Sequence, residues 1–188
     1  MLCVKNLSIT YEEHCVVQGV SFQVSPGQAL HLCGANGSGK SSIIKAIVGL
    51  LNHYEGQCNV VSDLCCHLHE TGLHPDLTAL ENLLQWVYLT KDGKPANVRA
   101  ALLRLGCAAF YEFNMVKNLS KGQLQRAALA KFVLSYTKLW VLDEPFTNLD
   151  SSGIQLFNQI CQEHIANKGA IIIASHQPLS FSADTYYL

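Results

Sequence analysis

The sequence predicts an α/β domain, in which buried strands alternate with amphipathic helices. Short apolar runs at 29–33, 138–144 and 170–174 have the length and composition of buried strands. Apolar residues at helical spacing follow the first two of these runs, at 42–50 and 153–166. Strands separated by helical segments are the pattern of an α/β fold.

The composition is that of a single globular domain. The chain has 188 residues, of which 49% are hydrophobic and 14% charged, so it can build a large core. The low charged fraction predicts exposed apolar surface for a partner. A formal net charge of −1 gives no basic field for nucleic acid, and no apolar run is long enough to cross a bilayer. The N-terminus lacks the features of a signal peptide, so we expect a cytoplasmic protein.

The remaining strands are predicted from their content of Val, Ile, Leu and Phe: 2–10, 16–24, 57–62 and 64–69. Residues 12–14 form the predicted turn between the first two strands, and Tyr11 lies at its tip. A loop is expected at 70–76.

A mainly helical block is expected at 78–135, inserted between strands. Two capping boxes mark helix starts within it: Thr78 with Glu81, and Ser120 with Gln123. A further helix is predicted at 96–105, and the helix that opens at Ser120 is predicted to run through Leu134.

The stretch after the first apolar run fits G-x-x-x-x-G-K-[ST], the phosphate-binding loop. Its residues are Gly34, Ala35, Asn36, Gly37, Ser38, Gly39, Lys40 and Ser41. Glycines let backbone N–H groups face a phosphate, and the helix dipole adds positive charge. We expect Lys40 to reach the β- and γ-phosphates of ATP, Ser41 to ligate Mg²⁺, and Ser42 to line the site. The alternatives are a chance glycine-rich turn and a dinucleotide-binding loop, but no G-x-G-x-x-G fits here.

Polar residues lie at or just beyond the ends of the other two apolar runs. Asp143 and Glu144 end one run, so Asp143 can hold Mg²⁺ and Glu144 can take a proton from an attacking water. His176 stands two residues past the other run and could contact the γ-phosphate and orient that water. The alternative for all three is a solvated, purely polar strand end.

The helix that opens at Ser120 offers a second phosphate site. Ser120, Gly122 and Gln123 lie where free N–H groups and the positive end of the dipole meet. A single chain does not need two sites for one γ-phosphate. If two chains are placed head to tail, each one supplies the phosphate loop to one ATP and Ser120 to the other. A plain N-cap is the alternative, and both interpretations can hold together.

Two features leave alternatives open. Tyr11 could stack on adenine or pack on the sheet. The eight cysteines are expected to be buried, reduced thiols. Cys65, Cys66, His67 and His69, with Cys58 and His74 nearby, suggest a metal site, but their spacing does not match a structural zinc site and favours a strand with mixed faces.

The motifs, taken in order, resemble those of ABC-transporter ATPase subunits. They comprise the phosphate loop, the signature at 119–123, the acidic strand end at 142–145, the segment at 148–150 and Ser175–His176. Segments 77–83, 139–150 and 175–179 are also similar to the ATP-binding subunits of cytochrome c maturation haem exporters. The resemblance implies a P-loop core and antiparallel β-subdomain at 1–77 and 136–188, with a helical signature subdomain at 78–135.

The resemblance also implies a function. We expect a homodimer that closes around two Mg·ATP and drives an integral-membrane partner from the cytoplasmic face of the inner membrane. The process would be haem export, or release of a haem-loaded carrier, in cytochrome c maturation. The alternatives are an ABC subunit for another substrate, a soluble ABC ATPase that acts as an assembly factor, and a P-loop kinase.

Two positions depart from the family pattern. Glu70 stands where such subunits carry a glutamine, and it could still meet Mg²⁺ or water, although its charge repels a bare γ-phosphate. Lys121 replaces a small residue of the signature.

Overall fold

The computed structural model describes residues 1–12, 14–60, 62–107 and 109–188. Its strands are β1 (Leu2–Tyr11), β2 (His14–Val24), β3 (Ala29–Cys33), β4 (Glu55–Val60), β5 (Leu64–His67), β6 (Leu139–Asp143), β7 (Ala170–Ala174) and β8 (Asp184–Tyr187). Its helices are α1 (Lys40–Ile47), α2 (Ala79–Thr90), α3 (Val98–Arg104), α4 (Lys121–Leu134) and α5 (Ser151–Ala166). Short 3₁₀ turns lie at Pro95–Asn97, Ala109–Glu112 and Val116–Asn118.

By its internal contacts the chain divides into two compact units. The first consists of residues 1–66, 137–144 and 162–188, and the second of residues 67–136 and 145–161.

A five-stranded sheet has the order β5-β6-β7-β3-β8 and belongs to the first unit, apart from His67, the last residue of β5. Strands β6, β7 and β3 are parallel neighbours, with Leu142 opposite Ile173 and Leu32 opposite Ala174. Every residue of β6 and β7 is buried, which explains their continuous apolar sequences.

A smaller antiparallel sheet in the order β2-β1-β4 completes the first unit. Its register is interrupted after Val4, and Asn6 there has a φ of 50°. Gly56 passes so close to this bulge that a Cβ would lie 2.3 Å from the Asn6 carbonyl oxygen. The mixed α/β class with a small antiparallel β part is confirmed.

Helices dominate the second unit. Its core includes Phe157, whose ring packs edge-on against Phe132 and Phe146 at centroid distances of 5.9 and 6.1 Å. Both predicted capping boxes are present, at the first residues before α2 and α4. Because these caps satisfy N–H groups that have no partner within the helix, they fix where each helix begins.

Several predicted boundaries were wrong. His14 begins β2 instead of lying in the turn, and β5 ends at His67, so Leu68 and His69 are not strand. The helix predicted at 96–105 is a 3₁₀ turn followed by the shorter α3. Strand β8 was not predicted, because its sequence, DTYY, is short and mostly exposed. Two parts of predicted elements, Glu13 and Val61, lie outside the described residues.

Among the described residues, the helices are all too short or too polar to cross a bilayer.

Candidate active site

Three neighbouring strands of the first unit bring the predicted motifs to one edge of the sheet. The phosphate loop follows β3, Glu144 follows β6, and Ser175 and His176 follow β7. Because these parallel strands lie side by side in the order β6-β7-β3, their carboxyl ends meet. Ligands of open α/β sheets bind at this edge.

The phosphate loop has the backbone that its glycines allow. Gly37 has a φ of 81° and faces open space, and Gly39 has a φ of 94°. A Cβ on Gly39 would lie 2.4 Å from Val17, so this position excludes any side chain. The Ser38 hydroxyl is buried and has no hydrogen-bond partner within the described structure.

Lys40 is held inside this loop. Its side chain donates to the carbonyls of Gly34 and Ala35, at 2.8 and 2.9 Å, and the residue is 7% exposed. Lys40 also begins α1, whose N-cap has no side-chain hydrogen bond and whose first turn has no acidic residue. The positive end of the helix dipole and the ammonium group therefore lie together, which suits an anion.

The acidic strand end holds unsatisfied oxygens. Asp143 is 5% exposed, and its Oδ1 has no hydrogen-bond partner in the part of the chain that is described. The Oε1 atom of Glu144 is likewise buried and without a hydrogen bond, and it lies 3.4 Å from Nε2 of His176. Glu144 has a φ of 48°, a strained value for a residue with a side chain. Free buried carboxylate oxygens fit a hard cation or a water molecule.

Three further residues predicted for the site, Tyr11, Ser41 and Glu70, differ in their surroundings. The Tyr11 hydroxyl donates to the Ser42 hydroxyl at 3.3 Å, so the tyrosine lies beside the start of α1. Ser41 is exposed, as a residue that takes up a ligand from solvent would be. Glu70 is exposed and belongs to the second unit.

The signature segment opens α4 in the second unit. Ser120 Oγ accepts the Gln123 N–H at 3.3 Å, and Gln123 Oε1 accepts the Ser120 N–H at 2.8 Å. A hydroxyl that accepts this bond still has its own proton to donate. Gly122 packs on the backbone, since a Cβ there would lie 2.8 Å from the Asn148 carbonyl oxygen.

Comparison with known proteins decides the family. A sequence profile described as ABC transporter matches residues 17–147. The chain belongs to the ABC transporter family. The chain is 34% identical to a Yersinia pestis protein named cytochrome c biogenesis ATP-binding export protein CcmA, over 95% of this chain and 87% of that one. A Methylococcus capsulatus protein of the same name is also 34% identical, over 97% and 94%.

Solved structures support the fold. A putative ABC transporter ATP-binding protein from Pyrococcus furiosus has a TM-score of 0.86 at 21% identity, covering 100% of this chain and 96% of its own. A dimeric bacterial ABC transporter cassette also has a TM-score of 0.86, at 22% identity with 100% and 94% coverage. The predicted family and fold class are confirmed, and the chain is an ABC-type ATPase subunit.

Two polar residues of this ABC ATPase that follow the signature, Gln125 and Arg126, were not predicted from the sequence. Gln125 is buried, and its amide nitrogen donates to the Pro145 carbonyl at 2.7 Å and contacts His67 Nε2 at 3.0 Å. Arg126 donates to the Leu105 carbonyl at 2.8 Å and pairs with Asp150. Neither side chain has a local signal in the sequence, because the carbonyls they bond, those of Pro145 and Leu105, lie 20 and 21 positions away.

The state of His67 follows from its partner. An amide nitrogen can only donate, so Nε2 of His67 accepts and the ring proton is on Nδ1. Burial lowers the pKa of His67 to about 3, so the ring is neutral at pH 7.

Asn82 was also missed. It is buried on α2, and its amide accepts the His74 N–H at 2.7 Å and donates to the His74 carbonyl at 3.1 Å. This bidentate contact fixes the end of the loop that the sequence predicts at 70–76.

Proposed function

We propose that this ABC ATPase hydrolyses Mg·ATP at a site completed by a second copy of the chain. Lys40 and the loop N–H groups bind the β- and γ-phosphates, and Ser41 and Asp143 hold Mg²⁺, which neutralises phosphate charge when bound. Glu144 accepts the proton of the attacking water, and His176 orients that water at the γ-phosphate.

The observation that carries this proposal is the convergence of these groups in the first unit. Among the described residues, Lys40 donates only to the backbone carbonyls of Gly34 and Ala35, which phosphate oxygens can replace. Buried, unsatisfied oxygens of Asp143 and Glu144 lie at the end of a neighbouring strand, with His176 3.4 Å from Glu144. The proposed cation ligand and general base therefore follow β6, the phosphate loop follows β3, and one strand, β7, lies between β6 and β3.

The second half of the site would come from the partner copy. We propose that Ser120, Gly122 and Gln123 of one chain face the γ-phosphate bound to the other. The cap geometry supports this, because within the described structure the Ser120 hydroxyl proton and the N–H groups of Lys121 and Gly122 are not used by the capping box or the helix. Tyr11 would stack on the adenine, and Glu70 would meet Mg²⁺ or its water.

We further propose that the dimer energises haem export, or release of a haem-loaded carrier, during cytochrome c maturation. The names of the relatives, cytochrome c biogenesis export proteins, support this process. A membrane subunit would contact the loop at 70–76 and the helical block, where Tyr88, Leu89 and Phe113 expose large apolar surfaces. The chain would then work at the cytoplasmic face of the inner membrane.

Purification from membranes tests the process. A tagged chain should bring down a multi-spanning subunit, and haem should raise the ATPase rate of that complex. A stable soluble complex with no membrane subunit would favour the assembly-factor alternative, and transfer of phosphate to a small molecule would favour a kinase.

A further inference from the structure

His31 makes a contact that no motif accounts for. It lies on β3, three residues before the phosphate loop, and is half-buried. Its Nε2 lies 2.9 Å from the carbonyl oxygen of Ser175, which is 144 positions away in the sequence. Because a carbonyl only accepts, Nε2 of His31 carries the proton and donates it.

The acceptor belongs to the segment that carries His176. The last paired residues of β3 and β7 are Leu32 and Ala174, so Ser175 is the first residue beyond the sheet ladder. The carbonyl before it, that of Ala174, accepts the Glu144 N–H at 2.8 Å. Two consecutive carbonyls are therefore held from opposite sides. The N–H of Glu144, at the end of β6, holds the Ala174 carbonyl, and the His31 side chain on β3 holds the Ser175 carbonyl.

The orientation of His176 depends on this backbone. Its side chain is 46% exposed, so packing does little to fix it. The carbonyl of Ser175 belongs to the peptide group that joins Ser175 to His176, and rotation of that group would move the imidazole. On the other side of His176, the Ser175 hydroxyl accepts the Gln177 N–H at 3.0 Å.

We propose that His31 is a positioning residue for hydrolysis. By holding the Ser175 carbonyl, it sets the peptide plane that places His176 Nε2 near Glu144 and the γ-phosphate. The inference rests on the proposed roles of His176 and Glu144. In the described structure the hydrogen bond of His31 goes to Ser175 and not to the loop groups that would bind the phosphates, so we expect it to act on turnover and not on ATP affinity.

Two variants separate the hydrogen bond from the bulk of the ring. In His31→Gln the amide nitrogen lies about as far from Cα as Nε2 of histidine does, so it can still donate to the Ser175 carbonyl. The side chain of His31→Asn is one carbon shorter and cannot form this hydrogen bond. We expect His31→Asn to lower kcat by roughly 10-fold or more, since misplacement by about 1 Å can cost up to 100-fold. KM for ATP should change less than about 2-fold, and His31→Gln should keep kcat within about 3-fold.

The experiment measures ATPase kinetics, nucleotide binding and thermal unfolding of the full chain, with the exposed His53→Asn as control. If His31→Asn has the same kcat as wild type while His176→Ala is inactive, the role of His31 is overturned and the proposed role of His176 stands. Equal losses in His31→Gln and His31→Asn would also overturn it. Full activity of His176→Ala would instead overturn the proposed role of His176. If His31→Asn does not fold, His31→Met, which also lacks the donor, replaces it.

Discussion

His176 Nε2 lies 3.4 Å from Glu144 Oε1, and no hydrogen bond in the described structure occupies that oxygen. A carboxylate left free beside an imidazole can accept a proton from a water that contacts both groups. The hydrogen bond from the Glu144 N–H to the Ala174 carbonyl, 2.8 Å long, holds the two strand ends in this arrangement.

Glu144→Gln should abolish turnover and keep ATP binding. The amide cannot accept a proton, so we expect kcat to fall at least about 100-fold. Stability should change by less than about 1 kcal/mol, because Oε1 makes no hydrogen bond to lose. Light scattering with ATP should show a trapped dimer, with the exposed Glu55→Gln as control. A variant that stays monomeric at saturating ATP would count against the two-copy site.

Lys40→Met should remove ATP binding and hydrolysis. The substitution keeps the length of the side chain but deletes the buried ammonium group that would exchange the Gly34 and Ala35 carbonyls for phosphates. Lys45→Met, at an exposed position of the same helix, is the matched control and should bind ATP normally. Phosphate release at the wild-type rate from Lys40→Met would refute the assignment of the loop.

Gly122→Ala should disturb the start of α4. The added Cβ would lie 2.8 Å from the Asn148 carbonyl oxygen, so the segment that precedes α5 must shift. We expect a loss of roughly 1–3 kcal/mol in unfolding free energy, measured by urea denaturation. The matched control is Gly72→Ala: an added Cβ there meets nothing within 4 Å, and the strain comes only from its φ of 69°. A smaller loss at Gly122 than at Gly72 would contradict the close contact.

Stability should fall in acid through His67. The unfolded chain binds a proton on His67 below its ordinary pKa of 6.5, whereas the folded chain does so only near 3. The contribution of His67 is therefore complete above pH 6.5 and is lost as the pH falls toward 3, by up to about 1.4 kcal/mol per pH unit. The unfolding free energy of His67→Gln should decline less steeply between pH 6 and pH 4 than that of wild type, because its unfolding takes up on the order of one proton fewer. Parallel curves would mean that His67 is not buried in its neutral form.

The sequence predicted the parts whose cause is local. The glycine pattern of the loop and the capping boxes of Ser120 and Thr78 act within a few residues, so spacing alone identifies them. His31 and Gln125 could not be predicted, because each bonds a carbonyl far along the chain, at Ser175 and Pro145. Strand β8 depends on pairing with β3, which its own composition does not reveal.

In the proposed dimer each ATP is bound by the phosphate loop of one copy and the signature helix of another. The ATPase rate of a fixed amount of wild-type chain, mixed with increasing Ser120→Arg, tests this sharing. Asn118→Arg, which adds the same charge two residues earlier, is the control. We expect Ser120→Arg to lower the rate below that of the wild-type chain alone, because mixed dimers carry a blocked site. A rate that stays equal to the sum of the two separate proteins would mean that the sites are not shared.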